Sequence, residues 1–169
     1  MFTSMQCDNL HNIWCLLVFA LLTACVNPPD FPDEPVLTFE MLTKNELQQG
    51  DFNEDSLFVV LSFTDGDGDI GRPSDDTTRD IVVFDNRTGK IQERFKMPEV
   101  PEDGTGNGVE GDITIRIYNT CCLYPRNFPP CSRLAQYPLD TISYDIYITD
   151  RSGHQSNVVT TPNVVLRCL

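Results

Sequence analysis

Beyond residue 35, apolar and polar residues alternate mostly with a period of two, and convincing helical periodicity is nearly absent. Val36–Leu42 reads as a first strand. Ser56–Thr64 (SLFVVLSFT) is apolar on both faces at first and then alternates through Leu61 and Phe63, as a central strand does. Asp80–Asp85 (DIVVFD) is followed by the turn Asn86-Arg87-Thr88-Gly89 and by Lys90–Met97, which together predict a hairpin. Gly111–Thr120 puts Ile113, Ile115 and Ile117 on one face. Asp140–Asp150 does the same with Ile142, Tyr144, Ile146 and Ile148. A last strand pair is expected around Val158–Leu166, with Pro162 marking a kink or an edge. Between these segments, Lys44–Gln49 has the length of one helical turn, Pro98–Gly111 is a Gly/Pro/acid loop, and Cys121–Pro138 is a Pro-rich excursion.

About seven strands separated by turns predict an all-β fold, an antiparallel sandwich whose two inner faces pack on each other. No internal repeat is visible. The expected organisation is a leader over 1–24, an extended tether over 25–35 and one β-sandwich domain over 36–169.

The loop after the second strand carries the most distinctive chemistry. Asp65-Gly66-Asp67-Gly68-Asp69-Ile70-Gly71 spaces three carboxylates two residues apart. Two unit charges about 4 Å apart repel by about 4 kcal/mol at an effective dielectric near 20. Such a loop is costly unless it stays wet or binds a cation. Glycine at alternate positions lets the backbone curl the carboxylates inward. Hard oxygen donors at this spacing suit Ca²⁺, which takes six to eight oxygens. Asp65, Asp67 and Asp69 are therefore the expected ligands. The same letters also fit a solvated acidic turn, because Asp-Gly is a favoured hairpin dipeptide. An EF-hand is excluded: counted from Asp65, its sixth and twelfth positions hold Ile70 and Asp76 in place of Gly and Glu.

The N-terminus bears on location. Ile13–Leu22 (IWCLLVFALL) is an uncharged apolar run, too short for a comfortable membrane span and of the length of a signal-peptide core. It ends in Leu22-Thr23-Ala24-Cys25, which resembles a bacterial lipobox. That resemblance implies cleavage before Cys25 and a lipid anchor (palmitate and related acyl chains) on its thiol. No Lys or Arg precedes the run, and Asp8 does, which departs from the usual signal-peptide pattern. A short N-terminal anchor helix is the other reading. Val26 after Cys25, where an Asp would favour inner-membrane retention, points to the outer membrane. Val26–Pro35 (VNPPDFPDEP) reads as an extended tether.

Charge narrows the partners. The chain has a net charge of −13, and only Asp8 contributes to it before Cys25. A surface this acidic is poorly suited to nucleic acid, which is bound through Lys and Arg, and attracts cations. Cys7 and Cys15 fall in the leader, and Cys25 is the expected lipid site. Cys121, Cys122, Cys131 and Cys168 remain, an even count that predicts two disulfides in an exported protein. Neighbouring Cys121 and Cys122 are expected to bond elsewhere. Cys122–Cys131 with Cys121–Cys168 is the first expectation, and the swapped pairing is its alternative. A zinc site is the rival, but C-C-x8-C lacks paired C-x2-C knuckles.

Three stretches, FTDGDGDIG (Phe63–Gly71), GTGNGVEGDI (Gly104–Ile113) and DTISYDIYITDRSGHQSNVVTTP (Asp140–Pro162), resemble lipoproteins of Bacteroidota with Ig-like or cadherin-like β-sandwich domains. The resemblance implies Ca²⁺ at one pole of an Ig-like sandwich, with Asp150 joining Asp65, Asp67 and Asp69 if their strand ends share that pole. An ordinary turn residue is the other reading of Asp150. The last turn of many bacterial Ig-like repeats reads D-x-A-G-N-x-S. Here Asp150–Ser156 places His154 at the Asn, which weighs against a ligand there. Asp55-Ser56-Leu57, Asp140-Thr141-Ile142 and, loosely, Asp76-Thr77-Thr78 resemble the O-glycosylation signal of the same phylum.

No H-E-x-x-H, P-loop or G-x-S-x-G motif occurs, and His154 is the one histidine past the leader. A noncatalytic protein is therefore expected. It would be either a Ca²⁺-stabilised structural or interaction module with an unknown protein partner, or a carbohydrate-binding accessory lipoprotein of a glycan-uptake system. Tyr118, Tyr124, Tyr137 and Tyr147 are the candidate sugar platforms, since Trp14 leaves with the leader.

Overall fold

A computed structural model describes residues 30–100, 108–125 and 128–169. The apolar run Ile13–Leu22, Cys25 and the first half of the expected tether lie outside these residues. The described residues form ten strands and no helix: β1 Val36–Leu42, β2 Glu46–Gln48, β3 Ser56–Asp65, β4 Ile81–Asp85, β5 Lys90–Phe95, β6 Val109–Tyr118, β7 Leu139–Ile142, β8 Tyr144–Ile148, β9 Val159–Thr160 and β10 Val164–Arg167. They make an all-β fold of three sheets, ordered β1-β3-β6, β5-β4-β8-β9 and β2-β10-β7. All pairings are antiparallel except β2 against β10.

β3 and β6 form the longest ladder, from Ser56↔Tyr118 to Asp65↔Val109. Burial along β3 alternates without a break, and Leu57, Val59, Leu61 and Phe63 point inward. They share one hydrophobic core with Ile113, Ile115 and Ile117 of β6, Ile81 and Val83 of β4, and Tyr144, Ile146 and Ile148 of β8. The side-chain amide of Asn157 ties β1 to the segment before β9. Its Oδ1 accepts from the Leu37 N–H at 2.8 Å, and its Nδ2 donates to the Leu37 carbonyl at 2.8 Å.

Three expectations change. Lys44–Gln49 contains no helical turn: Glu46–Gln48 is a strand paired in parallel with β10, through Leu47↔Leu166. Asp140–Asp150 is not one strand: it breaks at Ser143, so that β7 pairs β10 while β8 pairs β4. The disulfides take the swapped pairing, Cys121–Cys131 and Cys122–Cys168, in place of the first expectation. Alternation is the reason. Neighbours on extended chain point to opposite faces, and Cys122 is the inward one. Cys168 is inward too, continuing the buried row Val164, Leu166, Cys168. Cys121 is left to meet Cys131 nearer the surface.

The two ends of β3 thus differ in character. Ser56 starts the strand near the disulfides, and Asp65 ends it, nine residues and about 30 Å away, at the acidic loop.

Candidate metal centre

Asp65 occupies a core position. It continues the inward row Leu57, Val59, Leu61, Phe63 of β3, and its side chain is fully buried. Asp150 repeats this on the facing sheet: it continues Tyr144, Ile146, Ile148 beyond the end of β8 and is also fully buried. Two strands whose inner faces build the core therefore each end in an inward carboxylate at the same end of the molecule. Asp69, half-buried, completes the group, and ligand oxygens of Asp65, Asp69 and Asp150 lie within 4.8 Å of one another.

The three carboxylates are not satisfied alike. Asp150 is held from the protein side: its Oδ1 accepts from the N–H groups of Gly153 at 2.6 Å and His154 at 2.7 Å, and its Oδ2 lies 2.9 Å from His154 Nδ1. Asp69 is held on one oxygen, Oδ2, by the Ser152 N–H at 2.9 Å and the Ser152 hydroxyl at 2.7 Å. Its Oδ1 is buried without a hydrogen-bond partner, and so are both oxygens of Asp65, which have only the nearby Asp69 N–H, outside hydrogen-bond geometry, to draw the carboxyl downward. Burial, reinforced by the charges of Asp67, Asp69 and Asp150, pushes the Asp65 carboxyl up to about 6. Buried polar groups are as a rule hydrogen-bonded. Three oxygens without a partner, two on Asp65 and one on Asp69, are what sets this carboxylate cluster apart.

The loop geometry follows from its glycines. Gly68 and Gly71 take left-handed backbone angles (φ 71° and 75°) that side chains disfavour. They reverse the chain so that Asp69 turns back toward Asp65 while Ile70 inserts fully into the core. Arg72 fastens the far side. It donates from Nη2 to the Asp150 carbonyl at 2.9 Å and sits 3.6 Å from the buried Asp80 carboxylate. The Asp69 carbonyl in turn accepts from the Arg151 N–H at 3.3 Å.

Of the four carboxylates expected here, the structure brings together Asp65, Asp69 and Asp150. Asp67 is the exception: it is exposed, and its Oδ1 stands 3.4 Å from the Asp69 N–H, the contact of a turn. Asp65 is buried and Asp69 half-buried, while Asp67 stands in solvent, close enough that its charge still bears on Asp65. His154 serves by holding Asp150, and that carboxylate raises the imidazole above its ordinary value. Sequence reasoning missed Ser152 and Arg72. Arg72 directly follows the motif, and a lone cation next to so many acids was the available signal.

Two other concave surfaces among the described residues differ in kind. A cleft of about 420 Å³ lies between the edges of β5 and β6, floored by Ile81, Phe95, Met97, Ile113 and Ile115. A smaller one, about 220 Å³, lies beside the Cys121–Cys131 bridge against Tyr124 and Phe128. There Tyr124 packs on Phe128 and Tyr137, with ring centroids 6.0 and 5.7 Å apart, and its hydroxyl bonds to the Ser132 carbonyl. Tyr147 packs on Phe84. Of the O-glycosylation candidates, Thr141 and Thr77 are exposed and Ser56 is half-buried in β3. Compared with known proteins, the chain matches no family model, no curated protein and no solved structure.

Proposed function

We propose that this chain is a noncatalytic, Ca²⁺-stabilised structural or interaction module, displayed at the outer membrane by a lipid on Cys25. The observation that carries the metal reading is Asp65: fully buried, in phase with the core, and with both carboxylate oxygens unpartnered opposite Asp69 and Asp150. A charge so placed is strongly unfavourable without a counter-charge. The oxygen-only donor set, on a loop with two left-handed glycines, suits Ca²⁺ better than Mg²⁺, which demands near-ideal octahedral geometry and keeps its waters. Such an ion would fasten the ends of β3 and β8, one from each of two sheets, as the disulfides fasten the other end of the core. A structural role is favoured over catalysis because His154, the one histidine past the leader, is committed to Asp150. Thermal unfolding in Ca²⁺, Mg²⁺ and EDTA tests the reading. Ca²⁺ should raise the midpoint well beyond Mg²⁺, and an identical midpoint in all three would sink it.

The glycan-binding reading has one observation in its favour, the Tyr124–Phe128–Tyr137 cluster beside a small cleft. A glycan-array signal abolished by Tyr124→Ala would make it the primary one. Lipidation is checked by mass spectrometry of membrane fractions: an acylated N-terminal Cys25 peptide supports it, and an unmodified chain that begins at Met1 does not.

A further inference from the structure

The segment leading into β1 does not stand off from the domain. Pro35 is buried and Phe31 half-buried. The Gly66 N–H, next in the chain after Asp65, donates to the Pro32 carbonyl at 2.8 Å. The approach leaves no room for a side chain: a Cβ on Gly66 would lie 2.3 Å from the Phe31 carbonyl oxygen and 2.7 Å from the Pro32 carbonyl carbon. Gly108, which precedes the strand residue paired with Asp65, is also tightly approached. A Cβ there would lie 2.9 Å from the Phe31 ring and 2.9 Å from the Asp65 carbonyl oxygen.

This contact is made against charge. The segment carries Asp30, Asp33 and Glu34, the loop carries Asp65, Asp67 and Asp69, and no Lys or Arg occurs before Lys44. The bond from Gly66 to the Pro32 carbonyl sets the two acidic stretches side by side. One backbone hydrogen bond and the packing of Phe31 and Pro35 oppose this repulsion.

We propose, building on the cation reading above, that the metal centre is a latch for the N-terminal segment. A cation on Asp65, Asp69 and Asp150 neutralises the loop and holds Gly66 where its N–H meets Pro32. Without the cation, repulsion opens the loop and the segment comes away. Cys25 lies five residues before Asp30, a reach of at most about 18 Å. With the proposed lipid on Cys25, the latch therefore sets how much chain separates the metal end of the domain from its anchor.

The test follows the Gly66 amide by hydrogen exchange resolved to single residues, in the full chain, with CaCl₂ or EDTA. Calcium binding is measured by calorimetry on the same samples. Calcium should slow Gly66 exchange at least about tenfold. Phe31→Ala, which removes no carboxylate, should leave calcium binding in place but weakened by about fivefold or more, since coupling between two sites is reciprocal. In that variant Gly66 should exchange rapidly even with calcium bound. The latch is overturned if calcium binds and Gly66 exchange does not change, or if Phe31→Ala keeps the full protection. If no calcium binds, the cation reading fails and the latch falls with it.

Discussion

Asp65 and Asp150 are the inward-facing continuations of the two strands β3 and β8, and the two carboxylates meet fully buried at one end of the shared core. A row that buries Leu57, Val59, Leu61 and Phe63 delivers its next inward residue to the same dry environment, whatever that residue is. Here it is an acid, and its partner acid arrives by the same rule from the opposite sheet. With Asp69, they form a site assembled from two sheets and one glycine-rich turn.

Removing the charge at this position should act in opposite directions with and without metal. In EDTA, Asp65→Asn removes a desolvated carboxylate from among like charges and should stabilise the protein by about 1–3 kcal/mol. In calcium it should destabilise it relative to the parent chain. Urea unfolding of both proteins in both buffers checks the sign reversal.

The metal-free protein should lose stability as pH rises through the mildly acidic range. The Asp65 carboxyl rises from 3.8 to about 6 in the fold, so between those values the folded state holds a proton that the unfolded chain has released. Its contribution is therefore fully present below about pH 3.8 and is lost as pH passes 6, an effect of about 3 kcal/mol at most. Subtracting the Asp65→Asn profile from the parent's, both in EDTA between pH 3.5 and 8, isolates this group from the other carboxyls.

At the other end of the core, Arg87 lies largely shielded from solvent between Asp85 and Asp140. It reaches Asp85 from Nε at 3.0 Å and Nη2 at 2.7 Å, and Asp140 from Nη1 at 2.6 Å. Arg87→Met should cost about 3–5 kcal/mol, because it leaves two carboxylates without their cation. Chemical denaturation gives the value. Restoring most of the loss with Asp85→Asn in the same chain would show that the uncompensated charge is its cause.

The two disulfides should be unequal. Cys122–Cys168 spans 46 residues and Cys121–Cys131 spans 10. Loop-closure entropy assigns them about 4 and about 2.7 kcal/mol. Double Ala variants of each pair should follow that order in urea. Non-reducing peptide mapping should recover the Cys122–Cys168 linkage.

Most strands were legible because alternation is a local property: β1, β3, β4, β5 and β6 fall within two residues of their predicted ends. What escaped is what long-range partners decide. Glu46–Gln48 is too short to show a period, and it is a strand because β10 pairs with it. The break at Ser143 is invisible to alternation because Ile142 and Tyr144 are both inward, so the row continues while the strand changes sheets. The acidic motif drew attention to the loop whose Asp65 and Asp69 come together with Asp150. Its spacing alone does not separate Asp67 from Asp69, because the turn at Gly68 decides which of them faces in. Asp65 and Asp150 were both readable as inward by counting in twos from Phe63 and Ile148. The disulfide pairing was readable in the same way from Leu166 to Cys168.

The central claim is that the orphan oxygens of Asp65 and Asp69 serve a cation, and calorimetric titration of the metal-stripped chain with CaCl₂ tests it most directly. Saturable binding at one site is expected, lost in Asp65→Asn and in Asp69→Asn and retained in Asp67→Asn. Absence of binding heat at any calcium concentration, or binding that survives Asp65→Asn, would contradict it.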